Sequence, residues 1–154
     1  MVRLARVPAG TILWDPTCGA GTIPIEARLH RSEIEAGGSD IDVAMARSAR
    51  RNVAAASVEC PIVVADAAWL PLRAGSVGAL VANLPWGRQA ASRGGLDGVA
   101  HLLRIADDVV ENRGSVTVLA EERALPRSPS FELVEELPLA LMGARPLLRV
   151  WRRR

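Results

Sequence analysis

Apolar residues along this chain follow two different rhythms. Short continuous runs recur at Thr11 to Trp14, Pro61 to Ala65, Val77 to Ala82 and Ser115 to Ala120, each bounded by glycine, proline or an acid. Runs of this length, rich in β-branched residues, read as strands buried on both faces. Between them the spacing lengthens. Leu96, Val99, Leu102, Leu103, Ala106, Val109 and Val110 lie on one face of a helix over Leu96 to Asn112, which Gly114 stops. Val43 to Ala55, rich in alanine and arginine, reads as another helix, and Pro24 to Arg31 as a third. Met1 to Pro8 resembles the last turns of a helix without its beginning. Phe131 to Leu141 and Pro146 to Trp151 read as two further strands joined in a hairpin across 142–145. A strand is also expected just before Asp40, although Ala36-Gly37-Gly38 is poor strand sequence. Alternation of strand and helix predicts one α/β domain over residues 1–154.

The polar residues that interrupt this pattern cluster where strands end. Trp14 gives way to Asp15-Pro16-Thr17-Cys18-Gly19-Ala20-Gly21-Thr22, a glycine loop that runs into a helix with Thr22 as N-cap and Pro24 in the first turn. In an open α/β sheet, ligands bind outside the carboxyl ends of strands, and a helix N-terminus there offers unpaired N–H groups to an anion. The dinucleotide fingerprint needs a third glycine where Pro24 stands, and an acid ahead of the glycines repels pyrophosphate. That acid suits an ammonium group. S-adenosylmethionine, with ammonium, carboxylate and sulfonium, fits this loop better than NAD. Three more strand ends carry matching chemistry. Asp40 is placed to take two ribose hydroxyls, with helix capping as its alternative role, and Asp42 is a ribose or capping residue. Asp66 can accept from an adenine amino group or serve as a turn residue. Asn83-Leu84-Pro85-Trp86-Gly87 is either a tight turn with a core tryptophan or a clamp in which amide and carbonyl hold an exocyclic amine while the indole stacks on its base. Arg88 to Gly95 is expected to be a mobile loop beside it.

Composition narrows this picture little. The chain has 154 residues, 49% hydrophobic and 23% charged, as in an ordinary globular domain. Its formal net charge of +2 gives no global polyanion-binding character, and all 19 basic residues are arginine. Cys18 and Cys60 show neither metal-ligand spacing nor a disulfide framework, so no metal is expected. No apolar run reaches membrane-spanning length, and the N-terminus lacks a signal-peptide core, which makes the cytoplasm the expected compartment. Cys18 invites a nucleophile reading, as in pyrimidine C5 methylation, but it lies in the glycine loop rather than beside the base-clamp motif.

Taken in order, these motifs resemble a class I S-adenosylmethionine-dependent methyltransferase. Asp15 to Ile23 with Ile25-Glu26-Ala27, together with Gly38-Ser39-Asp40-Ile41-Asp42, Asp66-Ala67, Asn83 to Arg88 and the terminal hairpin, is similar to the RNA guanine-N2 methyltransferases that carry a THUMP domain. The resemblance implies a Rossmann-like, seven-stranded, mostly parallel sheet with an antiparallel last strand and helices on both faces. It implies that Asp15, Pro16, Cys18, Gly19, Gly21 and Thr22 hold the methionine part of S-adenosyl-L-methionine. Asp40 and Ile41 would meet the ribose side, and Asp66 and Ala67 the adenine. Asn83 would border the cofactor and, with a carbonyl of Leu84 or Pro85, accept the guanine amino hydrogens, while Trp86 stacks on the flipped base. The implied substrate is tRNA or rRNA. Because the THUMP domain and the start of the first helix are absent from this sequence, RNA capture is expected to need a separate domain or subunit, and a homo-oligomer stays open. Adenine N6 or a protein glutamine as acceptor, a cofactor-binding module without substrate capture, and a nucleotide-dependent oxidoreductase are the alternatives.

Overall fold

The computed structural model describes residues 1–84, 98–121, 125–141 and 143–154. Its strands are β1 (Ile12–Asp15), β2 (Glu35–Asp40), β3 (Ile62–Val64), β4 (Val77–Asn83), β5 (Val110–Ala120), β6 (Phe131–Pro138) and β7 (Leu147–Arg153). The helices are α1 (Val2–Ala5), α2 (Thr22–His30), α3 (Val43–Ala56) and α4 (Gly98–Val109). The strands form one seven-stranded sheet in the order β3-β2-β1-β4-β5-β7-β6. Strands β1 to β5 pair in parallel, and β7 runs antiparallel to both β5 and β6. This is the α/β architecture expected from the sequence, with the terminal hairpin closing the sheet.

Side-chain alternation along β4 shows how the layers are held. Leu80 and Ala82 point into a core with Val99, Leu102, Leu103 and Ala106 of α4, while Ala79 and Val81 point to the other face, among Ala5, Ala27 and Ile34. Both faces are covered, so a continuous apolar strand is the stable solution. Each fully buried valine, leucine or isoleucine among them contributes about 1.5–3 kcal/mol relative to exposure. Ile62 joins Cys18, Ala46 and Ala49 under α3.

Strand β2 forms despite its glycines because its neighbours leave no room for anything larger. A Cβ on Gly37 would lie 2.7 Å from the Trp14 ring and 2.8 Å from the Pro61 carbonyl oxygen. One on Gly38 would lie 2.7 Å from the Cys18 Cβ and 2.9 Å from the Asp15 carbonyl oxygen. Two expectations need correction. Gly21, not Thr22, is the N-cap of α2, at φ 85°, and no side chain caps that end; Thr22 is the first helical residue. Helix α4 stops at Val109 rather than near Gly114, and β5 begins at Val110, which pairs with Val77 across an irregularity before Ser115 meets Ala79. The Arg153 guanidinium draws the helix end to itself: its Nη1 donates to the carbonyls of Asp107 (3.0 Å) and Val110 (2.7 Å). Leu96, the proposed start of that helix, lies outside the described residues.

Candidate active site

Parallel strands end on the same edge, so the order β3-β2-β1-β4 brings Asp66, Asp40, Asp15 and Asn83 to adjacent strand ends. The sheet reverses its winding between β1 and β4, the switch point where such folds open a crevice. Register fixes the spacing. Asp15 is opposite Gly38, and Asp40 is opposite Val64, one strand further out.

Asp15 is 2% exposed, and its Oδ1 accepts from the Thr17 amide at 2.9 Å and from the Thr17 hydroxyl at 3.4 Å. Burial pushes its carboxyl up to about 7; the two Thr17 bonds oppose the rise and the nearby Asp40 charge adds to it. Asp40 is 3% exposed, and its oxygens are divided between two backbone donors. Oδ2 accepts from the Gly19 amide and Oδ1 from the Asp42 amide, each at 2.9 Å. A carboxylate offers about four acceptor positions, so room remains for two hydroxyls. Among the described residues no basic side chain forms an ion pair with Asp15 or Asp40. Two buried acids side by side without a cation are costly, and a bound cation removes that cost.

The glycine loop is fastened from behind. The Cys18 amide donates to the Ser39 carbonyl at 2.8 Å, and the Gly21 amide to the Cys18 carbonyl at 2.8 Å. Asn52 Nδ2 on α3 donates to the Ala20 carbonyl at 2.9 Å. Ser39, wholly buried, receives the Trp14 indole N–H on its Oγ at 3.4 Å and donates to the Pro16 carbonyl at 3.5 Å. Neither Ser39 nor Asn52 stands out in the sequence as a site residue. The interval from Ala20 to Asn52 carries no local signal, and only folding brings the two together. The amides of Ala20, Thr22 and Ile23 meet no backbone partner among the described residues, which leaves donors for an anion beside the two acids.

The remaining candidates divide cleanly. Asp42 caps α3, its Oδ1 accepting from Ala44 at 2.7 Å and Met45 at 3.4 Å, so the capping role is filled. Asp66 is exposed and accepts from the Ala68 amide at 2.9 Å, the turn geometry that is its alternative role; Ala67 beside it is buried and Ile41 is exposed. Burial pushes the Cys18 thiol up to about 12, with the Asp15 and Asp40 charges adding to it. The thiolate that C5 methylation requires is therefore scarce at neutral pH. Asn83 is exposed at the end of β4, opposite Leu119, and the Leu84 amide donates to the Leu119 carbonyl at 3.0 Å. Pro85, Trp86 and the loop from Arg88 to Gly95 lie outside the described residues.

A seven-stranded sheet of this order, with an acidic glycine loop after its first strand, is the class I methyltransferase fold. The family described as RMKL-like, methyltransferase domain, matches residues 1–130, and the chain belongs to that family. Among solved structures, TrmN from Thermus thermophilus superposes with a TM-score of 0.80 at 27% identity, covering 99% of this chain and 47% of that one. An RNA methyltransferase from Salinibacter ruber in complex with S-adenosyl-L-homocysteine shares the fold at TM-score 0.69 and 19% identity, covering 99% of this chain and 86% of that one. In sequence, the chain is 28% identical over 124 residues to the U6 snRNA (guanine-N(2))-methyltransferase THUMPD2 of Bos taurus, 79% of this chain and 24% of that protein. It is 32% identical over 107 residues to the human tRNA (guanine(6)-N(2))-methyltransferase THUMP3, 60% of this chain and 21% of that protein. The chain thus spans about a quarter or less of the curated relatives it matches.

Proposed function

We propose that this chain is the catalytic domain of an S-adenosylmethionine-dependent RNA methyltransferase that acts on the exocyclic N2 amine of guanine. One observation carries the cofactor reading: Asp15 and Asp40 are buried side by side without a basic partner among the described residues, next to unpartnered helix-end amides. S-adenosylmethionine supplies the complement, an ammonium for Asp15, ribose hydroxyls for the open positions of Asp40 and a carboxylate for the amides. Asp66 and Ala67 would border the adenine, with Ile41 against the nucleoside. The guanine-N2 reading is supported by the names of the THUMP-type relatives and by a strand-end amide in Asn83.

In this reading the methyl group passes in line from sulfonium to amine, and the work of the protein is positioning. Asn83 and a carbonyl of Leu84 or Pro85 accept the amine hydrogens, which orients the nitrogen lone pair at the methyl carbon. As the new bond forms, the nitrogen would become acidic and pass its proton to solvent water, with no strong base required. Trp86 stacks on the extruded base, returning about 1–3 kcal/mol of the cost of unstacking it. We assign RNA capture to a separate domain or subunit, in keeping with the greater length of the relatives. A cytoplasmic location completes the reading, testable by fractionation of tagged cells.

The test has two arms. Calorimetric titration with S-adenosylhomocysteine should give measurable binding that Asp40→Ala weakens several-fold; unchanged affinity sinks the ribose assignment. Labelled S-adenosylmethionine is then offered with bulk tRNA, rRNA, DNA and a glutamine peptide, with and without a candidate RNA-capturing partner. Label recovered as N2-methylguanosine supports the reading; label in N6-methyladenosine or in the peptide overturns it.

A further inference from the structure

The carbonyls along the back of the glycine loop are held by donors of different kinds. The Cys18 carbonyl takes the Gly21 amide and the Gly21 carbonyl takes the Ile25 amide, both within the same local turn and helix. The Ala20 carbonyl is held from a distant helix, by the Asn52 side chain of α3, as the Pro16 carbonyl is held by Ser39 of β2. Among the described residues the Gly19 carbonyl meets only the Cys18 thiol, at 3.9 Å.

This matters because of what flanks Ala20. Gly19 and Gly21 both have positive φ, at 53° and 85°. The peptide that carries the Ala20 carbonyl joins Ala20 to Gly21, and on the Gly21 side no Cβ opposes its rotation. Rotation of the Ala20–Gly21 peptide would turn a carbonyl lone pair toward the same opening as the free Thr22 and Ile23 amides. A carboxylate seated on those amides would then face an acceptor. Two bonds hold this peptide unit, one at each end: the Gly21 amide donates to the Cys18 carbonyl within the turn, and Asn52 of α3 grips the Ala20 carbonyl from outside it. Ala49 packs 3.1 Å from where a Gly21 Cβ would sit, which keeps that position a glycine.

We infer that Asn52 is a positioning residue for the cofactor's carboxylate: its hydrogen bond to Ala20 locks the loop with carbonyls turned back and amides turned out. The inference rests on the cofactor reading above and adds to it a residue that touches no ligand. It makes a selective demand. The lock acts on the amino-acid end of the cofactor and leaves the nucleoside end alone.

The experiment compares S-adenosylhomocysteine with 5′-methylthioadenosine, which keeps the nucleoside and sulfur but lacks the amino and carboxyl groups. For Asn52→Ala, loss of one neutral hydrogen bond should weaken S-adenosylhomocysteine binding about three- to tenfold while 5′-methylthioadenosine binding stays within twofold. Asn52→Asp, which sets an acceptor against the Ala20 carbonyl, should weaken it further, and Asn52→Gln, which keeps a donor, should recover part of the loss. Asn52 is exposed, so none of these changes opens the core, and melting temperature serves as the check. Unchanged S-adenosylhomocysteine affinity, or a parallel loss for both ligands, overturns the inference while leaving the cofactor reading intact. A wild-type chain that binds neither ligand overturns both.

Discussion

Replacing Asp15 with asparagine should make the unliganded protein more stable and at the same time remove its grip on the cofactor. The carboxyl is 2% exposed, and its ionisation rises from an ordinary 3.8 to about 7, chiefly through burial. An acid whose folded-state value lies above its unfolded value adds stability below the unfolded value. That contribution is lost as pH rises through the folded value. The interval from 3.8 to about 7 corresponds to about 4 kcal/mol at ~1.36 kcal/mol per pH unit, reached above pH 7. Asparagine carries no charge to bury, and its carbonyl oxygen can still accept from the Thr17 amide, so the loop keeps its turn. The stability gap between variant and wild type should therefore widen by about 2–3 kcal/mol between pH 5 and pH 8. For a domain of this size that is roughly 5–10 °C in melting temperature. Urea unfolding at both pH values, without ligand, measures it. A gap that stays constant, or a variant less stable than wild type at pH 8, refutes the claim that Asp15 is held buried and ionised for a ligand's sake.

Three further outcomes follow from the same geometry. Because the ammonium needs the Asp15 carboxylate ionised, S-adenosylhomocysteine affinity should fall about tenfold from pH 8 to pH 6, and the Asp15→Asn profile should be flat; an equal pH dependence in both would assign the effect to another group. Gly37→Ala forces a methyl to 2.7 Å from the Trp14 ring and 2.8 Å from a carbonyl oxygen, so denaturant unfolding should show a loss of at least about 2 kcal/mol, and a neutral result would contradict the packing of β2 on β1. Asp42→Ala removes the cap of α3 and should cost about 1 kcal/mol in thermal unfolding, with S-adenosylhomocysteine affinity changed little; a large affinity loss would return Asp42 to the ribose.

Local chemistry carried much of this protein. Short continuous apolar runs bounded by turn residues read as inner strands, and the acid, proline and paired glycines after Trp14 read as a strand-to-helix connection. Once four strands run parallel, their last residues must share one edge, so the order of elements in the sequence already groups Asp15, Asp40, Asp66 and Asn83. What the sequence left open were choices settled by neighbours. Asp42 could cap or bind, and the reach of α3's first amides decided it. Thr22 had the chemistry of a cap, but the backbone turn at Gly21 moved that position back by one residue. Gly37 and Gly38 looked wrong for a strand until Trp14, Pro61 and Cys18 were seen filling the space where side chains would stand. The tie from Asn52 to Ala20 joins residues separated by the whole of α2, a strand and most of α3. A contact of that kind exists only after the chain has folded, since no spacing or propensity in the sequence distinguishes this asparagine from a solvated one.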